Sequence, residues 1–163
     1  MTLLKTLMVA VLTSLPLLAC ANEPTTMSDV HTGVSAGASK RYPIYESLFV
    51  SVYGQAFVAT KGGETRQGVY INQIATGQGW AFYNAAYSFG TQLQYVRGNS
   101  NVLSCASGCT LQEQGMVVLS TQQFAQAAKT GLEMKLVGDR GSVVVKVPVE
   151  AFQEALAIQP VRG

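Results

Sequence analysis

The sequence has few charged residues and a single histidine, which argues against several classes of function. Lys and Arg together number 11 and Asp and Glu number 9, so charged residues make up 12% of the chain and the formal net charge is +2. A near-neutral chain with scattered cations cannot neutralise a row of phosphates, so nucleic-acid binding is not expected. His31 lies in a polar stretch and no Gly-x-Ser-x-Gly motif is present, which disfavours histidine-assisted nucleophilic catalysis.

The N-terminus combines a positive residue, an apolar run and a short processing motif. Lys5 precedes the run Leu7–Leu15, which is shorter than the roughly 20 residues of a membrane span. Leu17-Leu18-Ala19-Cys20 follows, and it resembles the lipobox of bacterial lipoproteins. The resemblance implies cleavage before Cys20 and a lipid on its sulfur, so that the membrane is a partner. Because Ala21 follows, it also implies sorting to the outer membrane of a Gram-negative bacterium, facing the periplasm. The alternative is an ordinary secretory signal and a soluble periplasmic protein.

Cysteine is otherwise scarce, since only Cys105 and Cys109 remain after Cys20. In an exported protein such a pair is expected to form a disulfide that closes a small ring. A redox pair is less favoured because the C-x-x-C spacing is missing, and a metal site lacks enough histidine and cysteine ligands. Gly77-Gln78-Gly79 does not match a nucleotide-binding loop, because it leads into a strand. The sequence therefore predicts no cofactor, no metal and no catalytic residue.

The chain divides into three parts. Residues 1–19 form the predicted lipoprotein signal peptide, and residues 20–40 are small and polar without an apolar period. That composition predicts a disordered, lipidated tether with a root-mean-square span of about 25 Å, enough to hold a domain clear of the headgroups. Residues 41–163 are predicted to form a single globular, β-rich domain.

Alternation of apolar and polar residues predicts several strands within that domain. The predicted strands are Tyr45–Thr60, Thr65–Thr76, Trp80–Tyr87, Gln92–Arg97 and Leu111–Leu119. Turns are expected at Lys61–Glu64, Gly77–Gly79 and Ser88–Thr91, and a loop at Gly98–Asn101.

A tight turn at Gln78-Gly79 would pair the strands before and after it. Ile74 would then face Tyr83, and Tyr70 would face Tyr87, which gives a hairpin rich in aromatic side chains. The candidate partner-binding group is Tyr70, Ile74, Trp80, Tyr83 and Tyr87. These side chains are either half of the core or an exposed patch that docks a protein or a glycan.

A second hairpin is predicted between Leu132 and Val149, with Asp139-Arg140 as its loop. This register places Met134 opposite Val145 and Glu133 opposite Lys146, so one face is apolar and the other pairs opposite charges.

Two short helices are predicted in the last third of the chain. Ser120 or Thr121 can cap the first, whose Phe124, Ala127 and Ala128 share a face and which ends before Gly131. The second presents Val149, Phe152 and Leu156 on one stripe. Glu150 and Glu154 are interpreted as its solvated face.

These elements predict a mainly β fold, an antiparallel β-sandwich with two short helices in the C-terminal third, with an α+β layer as the alternative. Part of the chain also shows a pattern similar to that of uncharacterised proteobacterial outer-membrane lipoproteins. The pattern consists of Gly79-Trp80, Cys105 and Cys109, Gly131-Leu132-Glu133 and Arg140-Gly141-Ser142. In plan the domain is also similar to the family of small β-sandwich lipoproteins that anchor type VI secretion machinery.

The expected function is a non-catalytic, outer-membrane-anchored periplasmic domain that binds or scaffolds an envelope protein or glycan. One alternative is an envelope enzyme that acts on glycan or lipid through paired carboxylates, although no pair of glutamates stands out by its spacing. Another is a small lipoprotein of the secretion-anchoring or inhibitor type.

Overall fold

The computed structural model describes residues 22–106 and 108–158. The predicted lipobox and Cys20 lie outside the described residues. The secondary-structure elements are β1 (Thr25–Asp29), β2 (Val34–Ala38), β3 (Tyr42–Glu46), β4 (Val50–Lys61), β5 (Glu64–Thr76), β6 (Tyr83–Ser88), β7 (Thr91–Ser104), β8 (Thr110–Leu119), α1 (Thr121–Thr130), β9 (Leu132–Gly138), β10 (Gly141–Val147) and α2 (Val149–Ala157). Neither helix in this part of the chain is long and apolar enough to span a membrane.

The strands form one curled antiparallel sheet in the order β1-β2-β4-β5-β8-β7-β6-β9-β10, with β3 also paired to β4. β7 joins the two parts of this sheet, because its first residues pair with β6 and its later residues pair with β8. Both parts and both helices contribute side chains to a single core. The mainly β, antiparallel fold with two short C-terminal helices is therefore confirmed.

Strict alternation on the central strands explains how the core is filled. On β8, Leu111, Val117 and Leu119 are buried, whereas the residues of the other parity, Thr110 to Val118 at every second position, are half-buried or exposed. Inward-facing residues of β4 and β5 follow the same period. One inward position of β8 is occupied by a charged residue, Glu113, which is only 7% exposed.

The Leu132–Val149 hairpin has the predicted register. Met134 pairs with Val145, and Glu133 pairs with Lys146 at 2.9 Å between charged atoms. α1 is also as predicted: Ser120 accepts a hydrogen bond from the Gln123 amide in a capping box, and Gly131 is the C-cap. These elements depend on local sequence signals, which explains why the sequence predicts them well.

The hairpin predicted around Gln78-Gly79 is wrong. β5 is paired with β4 on one edge and with β8 on the other, so no edge remains for β6. β6 pairs instead with β7 and β9, and Tyr83 lies opposite Gly138 rather than Ile74. Both arrangements bury similar apolar faces, so the hydrophobic pattern could not distinguish them.

The predicted disordered tether is wrong for residues 25–38, which form β1 and β2. β2 pairs with the end of β4, and β1 pairs with β2. Asp29 starts the turn between them, since its carboxylate accepts hydrogen bonds from the His31 amide at 2.9 Å and the Thr32 hydroxyl at 2.8 Å. β1 is an edge strand and β2 lies between it and β4, and both are built from small and polar residues without the apolar period that identifies a core strand.

The end of the N-terminal segment contacts the last helix. The Glu154 carboxylate accepts hydrogen bonds from the Tyr42 hydroxyl at 2.7 Å and the Lys40 amide at 3.2 Å. Burial, with the adjacent Glu154, raises the pKa of Tyr42, so the hydroxyl remains a donor. Glu154 therefore joins the two ends of the described chain, and its assignment to a solvated face is wrong.

Two further predictions need correction. Gly98–Asn101 is not a loop but lies within β7, where the pairing with β8 shifts register between Arg97 and Ser100. On α2 the buried face consists of Ala151, Phe152 and Ala155, whereas Leu156 is 38% exposed. Small alanines allow the helix to approach the sheet closely.

Replacing Phe152 and Leu156 in turn tests this orientation of α2. Phe152 is fully buried and contacts Phe124 edge to face at 5.1 Å between ring centroids. Phe152→Ala should lower the free energy of unfolding by about 3–5 kcal/mol. Leu156→Ala should change it by about 0.5 kcal/mol or less. Urea denaturation measures both, and equal losses would show that the helix is rotated.

Candidate functional site

A cavity of about 380 Å³ opens where the chain crosses from β5 to β6, next to the tip of the β9–β10 hairpin. We call it the aromatic cavity. It is lined by Tyr45, Val50, Gln73, Ala75, Gln78, Gly79, Trp80, Ala81, Tyr83, Arg140, Gly141, Ser142 and Val143. The volume lies within the range of small-ligand sites, and the lining combines aromatic rings with a few polar groups, as such sites do. No Asp or Glu of the described chain lines it.

The crossing segment, residues 77–82, forms one wall of the cavity and is held by Glu113. The Glu113 carboxylate accepts hydrogen bonds from the backbone amide of Ala81 at 2.6 Å and from that of Phe82 at 2.9 Å. Hydrogen bonds to an ionised acceptor are about twice as strong as neutral ones. They compensate for burying this carboxylate and fix the path of the backbone past Trp80.

Phe82 adopts a backbone conformation that aromatic residues rarely adopt. Its φ is 53°, in the left-handed region. Arg97 stabilises this turn, since it donates to the Phe82 carbonyl at 3.2 Å and to the Tyr83 carbonyl at 3.3 Å. The Arg97 and Arg140 guanidinium groups each lie 5.9 Å from the centroid of the Phe82 ring, and the Trp80 ring lies 6.0 Å from it. The strained residue is therefore surrounded by cation–π and aromatic contacts.

Tyr83 and Gln73 form a polar pair in the cavity lining. The Tyr83 hydroxyl donates to the Gln73 side-chain carbonyl at 2.5 Å. Burial raises the pKa of Tyr83, and the nearby Glu113 charge adds to the effect. Tyr83 stays neutral and donates its hydroxyl proton to Gln73. The side-chain amide nitrogen of Gln73 is therefore the donor of this pair that can reach a ligand.

Arg140 places a positive charge at the mouth of the cavity. It lies in the two-residue loop of the β9–β10 hairpin, and its backbone amide donates to the Ala81 carbonyl at 3.3 Å. The neighbouring Asp139 forms no ion pair with it, and one oxygen of that carboxylate accepts a hydrogen bond from the Asn84 side-chain amide at 2.6 Å. Among the described residues, ion pairs form only between Lys40 and Glu154 and between Lys146 and Glu133. The guanidinium is exposed and can bind an anionic group of a ligand.

The structure separates the five side chains of the candidate partner-binding group. Trp80 and Tyr83 line the aromatic cavity, although Tyr83 is only 6% exposed. Tyr70 and Ile74 project from the opposite face of β5, away from the core. Tyr87 lies near the other end of β6, where it is exposed. The group is therefore not one surface, and only Trp80 and Tyr83 belong to the cavity.

Arg140, Gln73 and Glu113 were not singled out from the sequence. The correctly predicted hairpin loop already contained Arg140, but nothing in the sequence showed which surface faces that loop. For Glu113 a signal existed, since it has the same parity as Leu111 and Val117 on an alternating strand. A carboxylate at an inward position requires buried donors, and here the crossing segment supplies them.

The Cys105–Cys109 pair lies next to the start of the crossing segment. Its sulfur atoms are 2.08 Å apart, at disulfide-bonding distance. The Gly77 amide donates to the Cys109 carbonyl at 3.0 Å, so the small ring contacts the point where β5 ends. Within the described ranges, no cluster of His, Cys, Asp and Glu side chains is arranged to hold a metal ion.

Gly138→Ala should disrupt the cavity wall. A methyl group at Gly138 would overlap the Ala81 carbonyl oxygen and the Phe82 backbone, which cannot move without breaking the Glu113 contacts. We expect a loss of about 1–3 kcal/mol in the free energy of unfolding. Gly79→Ala is the matched control, because its methyl would meet only the flexible end of Arg140. Equal effects in thermal denaturation would contradict the packing of this wall.

Alkaline pH should destabilise the fold through its buried tyrosines. Burial, with the Glu113 charge, raises the pKa of Tyr95 to about 12, whereas an unfolded tyrosine titrates at 10.0. Between these values only the unfolded state loses the proton, so the free energy of unfolding should fall from pH 10 to 12. The fall should be shallower in Tyr95→Phe than in the wild type or in Tyr87→Phe, the exposed control. Identical slopes in denaturant titrations would refute this.

Comparisons with known proteins found no match: no family model, curated protein or solved structure is significantly similar to the chain. The geometry of the aromatic cavity is therefore the basis on which a function can be argued.

Proposed function

We propose that the chain is a lipoprotein anchored to the outer membrane through Cys20, and that its periplasmic domain binds a cell-wall glycan without catalysis. The single observation that supports this most is the aromatic cavity, with Trp80 and Tyr45 in its lining and the unpaired guanidinium of Arg140 beside it. The anchor rests on Leu17-Leu18-Ala19-Cys20 alone, and the ligand rests on the cavity, so the two parts can be tested separately.

The lining favours a sugar that carries a carboxylate. Trp80 is half-buried and offers a rigid ring surface on which the apolar face of a pyranose can stack. Gln73, Gln78 and Ser142 supply amide and hydroxyl groups for sugar hydroxyls. Arg140 can bind a carboxylate in two parallel hydrogen bonds, which a neutral sugar could not use. In cell-wall glycan, muramic acid alternates with a neutral sugar and presents a free carboxylate wherever it carries no peptide.

The positions of the glutamates favour binding over catalysis. A glycosidase needs two carboxylates beside the scissile bond, and no acidic residue of the described chain lines the cavity. Glu113 binds backbone amides, Glu154 binds Tyr42, and Glu133 pairs with Lys146. An enzyme acting through carboxylates remains the alternative that the experiment must address.

Trp80 is the only tryptophan of the chain, so its fluorescence reports directly on the cavity. We expect full-length protein in detergent to change its emission on titration with the disaccharide of N-acetylglucosamine and N-acetylmuramic acid. Arg140→Gln should weaken binding by about tenfold or more, since a hydrogen bond to a charged group contributes about 1.5–3 kcal/mol. The methyl ester of the disaccharide should bind the wild type about tenfold more weakly than the free acid does. It should bind Arg140→Gln as tightly as the free acid does.

Arg66→Gln is the control, because Arg66 is exposed at the far end of β5 and does not line the cavity. Equal binding by the Arg140 and Arg66 variants would contradict the proposed site, and hydrolysis of a longer glycan by the wild type would favour the enzyme. Cys20→Ala tests the anchor independently. It should move the protein from the outer-membrane fraction to the periplasm and remove incorporated fatty acid.

A further inference from the structure

The outer face of the sheet, on the side of β4, β5 and β8 that points away from the core, has no covering layer. Its outward-pointing residues in the central rows are Ser51, Tyr53, Gln55 and Phe57 of β4, Tyr70, Asn72 and Ile74 of β5, and Gln112, Gln114, Met116 and Val118 of β8. Helices α1 and α2 belong to the core on the opposite side. This outer face is therefore a surface of aromatic, aliphatic and amide side chains, among which Asn72 is buried by its neighbours.

The rows of this face follow from the strand pairing. Gln55 lies opposite Tyr70, and Tyr70 lies opposite Met116. Val96 on β7 extends the same row, and both Met116 and Val96 are more than one-third exposed. One row further, Asn72 accepts a hydrogen bond from the Gln112 amide at 3.0 Å. Half-exposed apolar side chains in a contiguous row indicate an interaction surface rather than isolated surface residues.

The outer face is charged only at its ends, where Glu46 lies opposite Ser51 and Glu64 projects on the same side as Arg66. None of its outward-pointing residues named above is acidic, whereas Arg41 lies at its margin with the guanidinium 5.6 Å from the centroid of the Tyr53 ring. Arg66 projects outward further along β5, opposite Ala59. A face with aromatic, amide and cationic groups suits the headgroup layer of a membrane, where tyrosine is enriched and arginine binds anionic lipids.

The start of the first strand limits how far the domain can stand from its anchor. Thr25 pairs with Ala38, and Ala38 pairs with Phe57, so the chain enters the sheet at the row next to that of Tyr70. Thr25 is five residues after Cys20, and five extended residues span at most about 18 Å. A domain of this size has a radius of gyration of about 13 Å. Anchoring at Cys20 therefore keeps β1 within about 18 Å of the lipid, so the surfaces near β1 are the ones that can reach it.

We propose that the outer face lies on the headgroups of the membrane that holds Cys20. The inference rests on the lipid anchor of the proposed function and is independent of the ligand of the aromatic cavity. Tyr70, Met116 and Val96 contact the upper acyl region, while Arg41 and Arg66 bind anionic phosphates. The aromatic cavity lies on the core side of β5, because Gln73 and Ala75 line it while Tyr70 and Ile74 point the other way. It therefore faces away from the lipid and toward the periplasm.

Single-cysteine probes test this orientation, since Cys20 is blocked by lipid and Cys105 and Cys109 are bonded to each other. Full-length lipidated protein carrying Gln114→Cys, on the outer face, or Val144→Cys, exposed on β10, is labelled with an environment-sensitive dye. Both are placed in vesicles of phosphatidylethanolamine and phosphatidylglycerol at 3:1, with brominated lipids as quenchers. We expect quenching at position 114 to be at least three times that at position 144.

A second variant separates the face from the anchor. Tyr70→Glu with Met116→Glu should abolish quenching at position 114 while the protein still sediments with the vesicles, and Val144→Glu in the Gln114→Cys background should leave that quenching unchanged. Equal quenching at positions 114 and 144 in lipidated protein would overturn the orientation alone. Absence of lipid on Cys20 by mass spectrometry would overturn the anchor and the orientation together. If the disaccharide did not bind while the quenching was as expected, the glycan ligand would be refuted and the orientation would be supported.

Discussion

The hydrogen bonds between the Glu113 carboxylate and the amides of Ala81 and Phe82 are the constraint on which the rest of the structure depends. They hold the chain at the point where it leaves one part of the sheet and enters the other. If this segment moved, β6 would lose its position between β7 and β9, and Trp80 would lose the backbone that orients it. A charge buried at a core position thus determines the strand order and the shape of the cavity at the same time. An unpaired carboxylate there would be strongly destabilising. The strand order and the shape of the cavity therefore depend on the same hydrogen bonds.

Some polar groups of the cavity are used by the fold, and others are left available. Tyr83 uses its proton on Gln73, and Asp139 is occupied by Asn84. Arg97 is occupied by two carbonyls, whereas the Arg140 guanidinium lies over the Phe82 ring and forms no ion pair among the described residues. The protein groups that could compete with an anionic ligand for the Arg140 guanidinium are therefore already satisfied. Such an arrangement is pre-organised, because a ligand need not displace an existing ion pair.

What could be predicted from the sequence depended on how local the determining contacts are. The Leu132–Val149 register follows from a tight loop and two alternating strands, and α1 follows from a capping box and a C-terminal glycine. The partners of β5 and β6 are set by long-range contacts. Because both faces of these strands are apolar, the hydrophobic pattern fits a local hairpin as well as it fits the observed pairing. β1 and β2 were not predicted because their small and polar residues lack an apolar period, and their position is set by pairing with β4. In the candidate site, Trp80 and Tyr83 were predicted from the sequence. Gln73, Glu113 and Arg140 were not, because only the path of the crossing segment brings them together.

The contact between the first and last described elements has a consequence for the order of folding. Gly37 of β2 lies directly beneath the Ile158 carbonyl, and the Lys40 amide reaches Glu154 across a separation of 114 residues. If the chain is exported as proposed, its N-terminal segment reaches the periplasm before the residues that complete its packing. Contacts so distant in sequence form late because the closure of a long loop opposes them. Under the proposed lipidation, the enzymes that modify Cys20 would thus meet an accessible chain, and the docking of α2 would follow that modification.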